Sequence, residues 1–152
     1  MEELLEKILR TKDEKGVGVL RIIMGLIIMM SGWMKFLVPT LREAWSGQLL
    51  QANLPFYEVN FWVIPVVEIV VGLLLIAGFF SRLGALVVLG MMVVAAYVHL
   101  VVADPALFPL QPHQPLIPLT LIAIGAYVLW RGGGAWSMDL RSQEKGRGRS
   151  SK

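Results

Sequence analysis

The sequence predicts an all-α, polytopic membrane protein: a bundle of four transmembrane helices with an interfacial helix in the first outer loop. Three observations predict it. Hydrophobic residues make up 56% of the 152 residues and charged residues only 16%, a balance too apolar for a water-soluble fold. Apolar runs of about the 20 residues that a bilayer crossing requires are separated by polar or proline-bearing segments. Lys and Arg gather in the two termini and in one central turn, the distribution that keeps those segments in the cytoplasm.

Residues 1–16 form a leader. Leu4, Leu5, Ile8 and Leu9 fall at helical spacing among Glu2, Glu3, Glu6, Lys7 and Arg10, which predicts a short helix on the membrane surface; a solvated leader is the plainer alternative. The first span, 17–34, carries a single charge, Arg21. No small-residue cleavage site follows it, so it is read as a retained span and not as a signal peptide. The connection 37–60 is too polar to cross the membrane, yet Leu41, Ala44, Trp45, Leu49 and Leu50 give it an apolar face. That face predicts the interfacial helix.

The second span, 61–80, contains Glu68, and the third, 83–103, contains His99. Ser81 and Arg82 leave room only for a tight turn, so these two spans form an antiparallel hairpin. The segment 104–114 carries Pro105, Pro109 and Pro112 and is expected to be an irregular lid. In the fourth span, 116–130, Pro115 or Pro118 sits in the first turn, where a missing N–H matters little. Gly132, Gly133 and Gly134 then read as a helix cap. The transmembrane domain thus covers 17–139, and the Arg-, Lys-, Ser- and Gly-rich tail, 140–152, is expected to be disordered beside lipid headgroups.

Orientation follows from charge. Lys7, Arg10, Lys12 and Lys15 precede the first span, Arg82 occupies the central turn, and Arg131, Arg141, Lys145, Arg147, Arg149 and Lys152 follow the fourth. The other loops hold Lys35 and Arg42. An even number of spans with this bias places both termini in the cytoplasm. Trp33, Trp45, Phe56, Tyr57, Phe61 and Trp62 mark the outer boundary, and Trp130 and Trp136 the inner one. The net charge of +3 is therefore assigned to anionic lipid, and nucleic acid is rejected as a partner. The absence of cysteine excludes disulfide and thiolate chemistry on this chain.

Arg21, Gly25, Ile28, Gly32 and Lys35 recur at alternating steps of four and three, which aligns them on one small, polar helix face. Such a face belongs against a neighbouring helix, not lipid. At about 1.5 Å of rise per residue, Glu68, His99 and Lys35 all fall in the outer half of the membrane, whereas Arg21 lies near the inner end. Lys35 and His99 are accordingly the better partners for Glu68. Glu68 and His99 are the candidate proton-exchanging, catalytic residues, with Lys35, Arg21 and Trp33 as ligand-binding residues around a polar headgroup. The plainer alternative is a buried pair that fixes helix register. Neither a metal site nor haem is predicted, because His113 stands in the lid and no close metal-ligand spacing exists.

The run Arg21-Ile22-Ile23-Met24-Gly25, the run Ser31-Gly32-Trp33-Met34-Lys35, Pro65-Val66-Val67-Glu68 with Gly72, Gly78 and Arg82, His99, and the closing Gly132 to Trp136-Ser137-Met138-Asp139 together resemble the DoxX family of small four-helix membrane proteins. The likeness runs from about Gly16 to Asp139. Asn53-Leu54-Pro55-Phe56 in the outer loop is also similar to members resembling the larger subunit of thiosulfate:quinone oxidoreductase. The resemblance implies a prokaryotic plasma membrane, a quinone as cofactor and a redox partner protein within a quinone-linked complex. Two other classes compete with that expectation. One is a non-catalytic scaffold or assembly factor whose basic tail recruits a partner protein; the other is a small transporter, for which no inverted repeat or broken helix pair is visible. Assembly as a homo-oligomer is left open.

Overall fold

The structure, a computed structural model, describes residues 10–103 and 115–150. Its helices are α1 (Lys15–Leu37), α2 (Pro39–Gln51), α3 (Tyr57–Ala77), α4 (Ser81–Val101), α5 (Leu116–Arg131) and α6 (Met138–Ser150). The expected leader helix and the proline-bearing lid, with His113, lie outside the described residues.

Three of these helices, α1, α3 and α4, are long and apolar enough to cross a membrane, and α5 is a shorter apolar helix of 16 residues. Their outward faces explain why the surroundings must be lipid. On α3, Val63, Val66, Val70 and Leu73 follow one another at helical spacing and are each about half exposed. A continuous apolar stripe of this kind is not stable against water. The chain is a multi-pass membrane protein.

The interior is built by pairs. Contact is most extensive between α1 and α3, followed by α4 against α5. Met24 and Ile28 of α1, Val71 and Leu75 of α3, Val88 and Met92 of α4, and Leu121 and Val128 of α5 meet in one core. Lipid gives no hydrophobic drive for α1 to meet α3, so close backbone approach must supply the attraction. A Cβ at Gly25 would stand 2.8 Å from the Gly72 carbonyl oxygen, and one at Gly32 would stand 2.6 Å from that of Pro65. The small-residue face of the first span therefore packs as the spacing predicts.

Two local expectations need correction. The hairpin turn is not at Ser81 and Arg82: α3 ends at Ala77, and Ser81 already opens α4. The reason is Gly78, whose φ of 69° closes α3 and whose missing side chain admits Ser137 and Arg21. The tail is not irregular throughout, because Met138–Ser150 is helical. The Ser137 hydroxyl accepts the Leu140 N–H at 3.2 Å, and Asp139 stands in the first turn, where a negative charge complements the helix dipole.

The N-terminal and C-terminal segments meet at one end of the bundle. The Gly134 N–H donates to the Thr11 hydroxyl at 2.8 Å, the Ala135 N–H to the Glu14 carbonyl at 3.1 Å, and Glu14 pairs with Arg131.

Candidate functional site

Two polar clusters are buried in the bundle, one toward each end. The first joins α1, α2 and α3. Ser31 and Lys35 lie four residues apart on α1 and so share a face, and α3 presents Glu68 opposite them. Lys35 Nζ donates to both Glu68 oxygens, at 2.7 Å and 2.6 Å, and to the Ser31 hydroxyl at 3.0 Å. The Ser31 hydroxyl stands 3.4 Å from Glu68 Oε1. Side-chain exposure is 5% for Glu68 and 15% for Lys35, so the pair is withdrawn from its surroundings and bidentate. Gly32 makes room for it: a Cβ there would stand 3.0 Å from the Glu68 Cβ.

Helix α2 roofs the pair. Lys35 Nζ lies 4.8 Å from the centre of the Trp45 ring, within reach of a cation–π attraction. The Trp45 indole N–H donates to the Phe61 carbonyl at 3.4 Å. That carbonyl is open because the residue four positions on is Pro65, which has no N–H to complete the helical bond. The proline that precedes Glu68 thus also creates the anchor for the tryptophan that covers Lys35. Nearby, Ser46 and Tyr57 hydroxyls are 2.8 Å apart, tying α2 to the start of α3.

Of the residues expected at this site, Glu68 and Lys35 come together. His99 is half-buried in the last turn of α4, next in sequence to Val98, which packs with Ala52 and Val102 in a small second core. Trp33 does not join the pair: it is 47% exposed on the outward side of α1. Trp45 and Ser31 take part instead. The signals for them were present, one as a hydroxyl four residues before Lys35 and the other as the carbonyl left open by Pro65.

Arg21 belongs to the second cluster and not to the first, as its depth on α1 predicts. It is fully buried, and its Nε donates to the Gly133 carbonyl at 2.6 Å. Its Nη1 donates to the Leu75 and Ile76 carbonyls and its Nη2 to that of Ala135. The guanidinium therefore caps the C-terminal turn of α3, where a cation offsets the helix dipole. Its guanidinium donors go to backbone carbonyls. Asp139 performs the converse task, accepting the Phe80 and Ser81 N–H groups at 2.8 Å each at the N-terminus of α4. Arg82 donates to the Leu129 and Trp130 carbonyls, at 2.5 Å and 3.0 Å, at the end of α5. Gly132, with φ of 92°, follows that end. The closing Gly132 to Asp139 segment is thus a knot that satisfies helix ends inside an apolar bundle.

The fold and the clusters define a class first: a small multi-pass helical membrane protein with a buried Lys–Glu pair between its two most closely packed helices. The family model for DoxX matches residues 16–100, a stretch that includes Arg21, Lys35, Glu68 and His99, and the chain belongs to the DoxX family. No curated protein and no solved structure matches the chain.

Proposed function

We propose that the chain is a four-span subunit of a quinone-linked oxidoreductase in a prokaryotic plasma membrane, with Glu68 as its proton-exchanging group. The observation that carries this reading is the Lys35–Glu68 pair, buried on helices whose outer faces meet lipid. An ionised carboxylate in the middle of a spanning helix, as Glu68 is, is expensive to insert, by roughly 2.5–3.5 kcal/mol at a span centre. The donor set fits a quinone headgroup chemically: Lys35 and Ser31 can donate to a carbonyl, and Glu68 can accept from a hydroxyl. A quinone bound there would supply two-electron, two-proton redox chemistry. Glu68 holds or releases the proton, Lys35 stabilises its ionised form, and Trp45 screens the pair from water. His99, near the outer end of α4, serves as the second proton carrier. The electrons come from a redox partner, and any reactive sulfur group must be the partner's, since the chain contains no cysteine.

The topology that accompanies this reading has α5 as the fourth span, α2 lying in the outer interface and both termini in the cytoplasm. The meeting of Thr11 and Glu14 with residues 131–135 supports an even number of crossings. Cysteines introduced at the exposed positions Glu43 and Ser142 should label from opposite sides of sealed vesicles. Labelling from one side overturns the topology.

A scaffold role is the second reading, favoured by how fully Lys35 is engaged by groups of its own chain. Glu68→Gln separates the two. The amide keeps the shape of the side chain and removes the titration. In the complex purified from native membranes, the redox reading expects loss of quinone binding and quinone-dependent turnover per complex, beyond any fall in abundance. An abundant variant that retains both overturns it.

A further inference from the structure

We infer that the end of the bundle where Thr11 and Glu14 meet residues 131–135 holds a binding site for the phosphate of an anionic phospholipid. A cavity of about 420 Å³ opens there, lined by Arg10, Lys12, Arg82, Arg131 and Trp130 together with polar side chains. Its volume falls in the roughly 300–1,000 Å³ range of small-ligand sites. Among the described residues its lining carries four cations and no carboxylate. The carboxylates that act on it are Glu14, paired with Arg131, and Asp139, whose charge acts on Arg82, so the cavity keeps a positive balance.

The guanidinium of Arg82 is held in advance of any ligand. Its three bonds, to the carbonyls of Arg10, Leu129 and Trp130, use three of its five N–H donors and leave two for an anion. A donor fixed in this way loses little freedom on binding. The bond to the Arg10 carbonyl also sets two cationic residues side by side, an arrangement that a phosphate relieves.

The surroundings favour a lipid over a free anion. Trp130 lines the cavity and is 69% exposed, with Tyr127 packed edge-on against it, as aromatic side chains are at the headgroup level of a bilayer. Leu83, next to Arg82 on α4, and Leu86, one turn further into the membrane, are each about half exposed and offer a surface for the acyl chains. A phosphate in the cavity then has its own hydrocarbon alongside the bundle. Basic pockets between spanning helices bind such headgroups on the same principle.

The test uses the full chain, extracted in neutral detergent, and measures phospholipid retention by native mass spectrometry. Equal phosphatidylglycerol and phosphatidylcholine are supplied, with inorganic phosphate in a separate arm. Arg82 and Arg131 also hold helix ends, so the variants are Arg10→Gln with Lys12→Gln, both exposed side chains. Lys15→Gln with Arg141→Gln removes equal charge outside the cavity. The wild type should retain phosphatidylglycerol preferentially, the cavity variant should lose about fivefold of that preference per charge removed, and the control variant should keep it. Equal retention of the two lipids, equal loss in both variants, or displacement of the lipid by millimolar inorganic phosphate overturns the proposal.

Discussion

Lys35 of α1 holds both carboxylate oxygens of Glu68 on α3, at 2.6 Å and 2.7 Å, across the most extensive helix contact in the bundle. Two consequences meet there. The glycines that let the helices approach also bring the charges into bonding distance, and the pair in turn cannot be opened without exposing an ion to an apolar interior.

Removing one member of the pair should therefore be worse than removing both charges. Lys35→Met should destabilise the protein by about 3–5 kcal/mol, because a carboxylate is left buried without its cation. Lys35→Met combined with Glu68→Gln should recover part of that loss. Unfolding in mixed detergent micelles measures all three. A double variant less stable than Lys35→Met would show that the pair is not the coupling between these residues.

Close packing of α1 on α3 predicts a ranking of two substitutions. Gly32→Leu forces a side chain against the Pro65 carbonyl and the Glu68 Cβ, and overpacking of this kind costs about 1–3 kcal/mol. Leu73→Ala acts on a side chain that is 53% exposed to lipid and should change stability by less than about 0.5 kcal/mol. The reverse ranking in the same unfolding assay would place the contact face elsewhere.

The bond from Trp45 to Phe61 should matter only while Pro65 is present. Trp45→Phe removes the indole N–H and should cost about 0.5 kcal/mol through that bond, the low end of the usual range because 3.4 Å is long. With Pro65→Ala, residue 65 gains an N–H that can complete the helical bond to Phe61. The hydrogen-bond part of the Trp45→Phe effect should then vanish. An unchanged effect in the Pro65→Ala background would assign it to packing over Lys35 instead.

Asp139 predicts a defect at the hairpin turn. Asp139→Ala leaves the Phe80 and Ser81 N–H groups without an acceptor and should lower stability by about 1–3 kcal/mol. Asp139→Asn retains one acceptor oxygen and should fall between the wild type and Asp139→Ala. Hydrogen exchange at Phe80 and Ser81 reads the effect locally, and unchanged protection in Asp139→Ala would remove the cap from the account.

A mild acid dependence follows from Glu14. Its hydrogen bonds to Arg131 hold its pKa below the ordinary 4.5. With a folded-state pKa lower than the unfolded one, the pair contributes in full above 4.5 and loses its contribution as pH falls through the depressed value. Glu14→Gln should therefore flatten this part of the acid limb of the stability–pH curve. An acid limb of the same shape in wild type and variant would exclude the pair as its source.

The sequence by itself determined the membrane class, the approximate helices and the face of α1 that packs inward. These depend on local quantities: length of an apolar run, and the three-to-four spacing of Gly25, Gly32 and Lys35. Depth along a helix was also enough to separate Arg21 from Glu68 and to name Lys35, together with His99, as its candidate partners; the structure shows the Lys35 pairing. Tertiary structure alone decided what closes each cluster. Trp33 and Trp45 are equally boundary-like in the sequence, but helix rotation turns one outward and α2 carries the other over Lys35. The Gly132 to Asp139 segment reads locally as a cap and a tail. Its partners, Arg21, Phe80 and Ser81, are distant in the chain, and only folding brings Asp139 to the orphaned N–H groups of α4 and Arg21 to the orphaned carbonyls of α3.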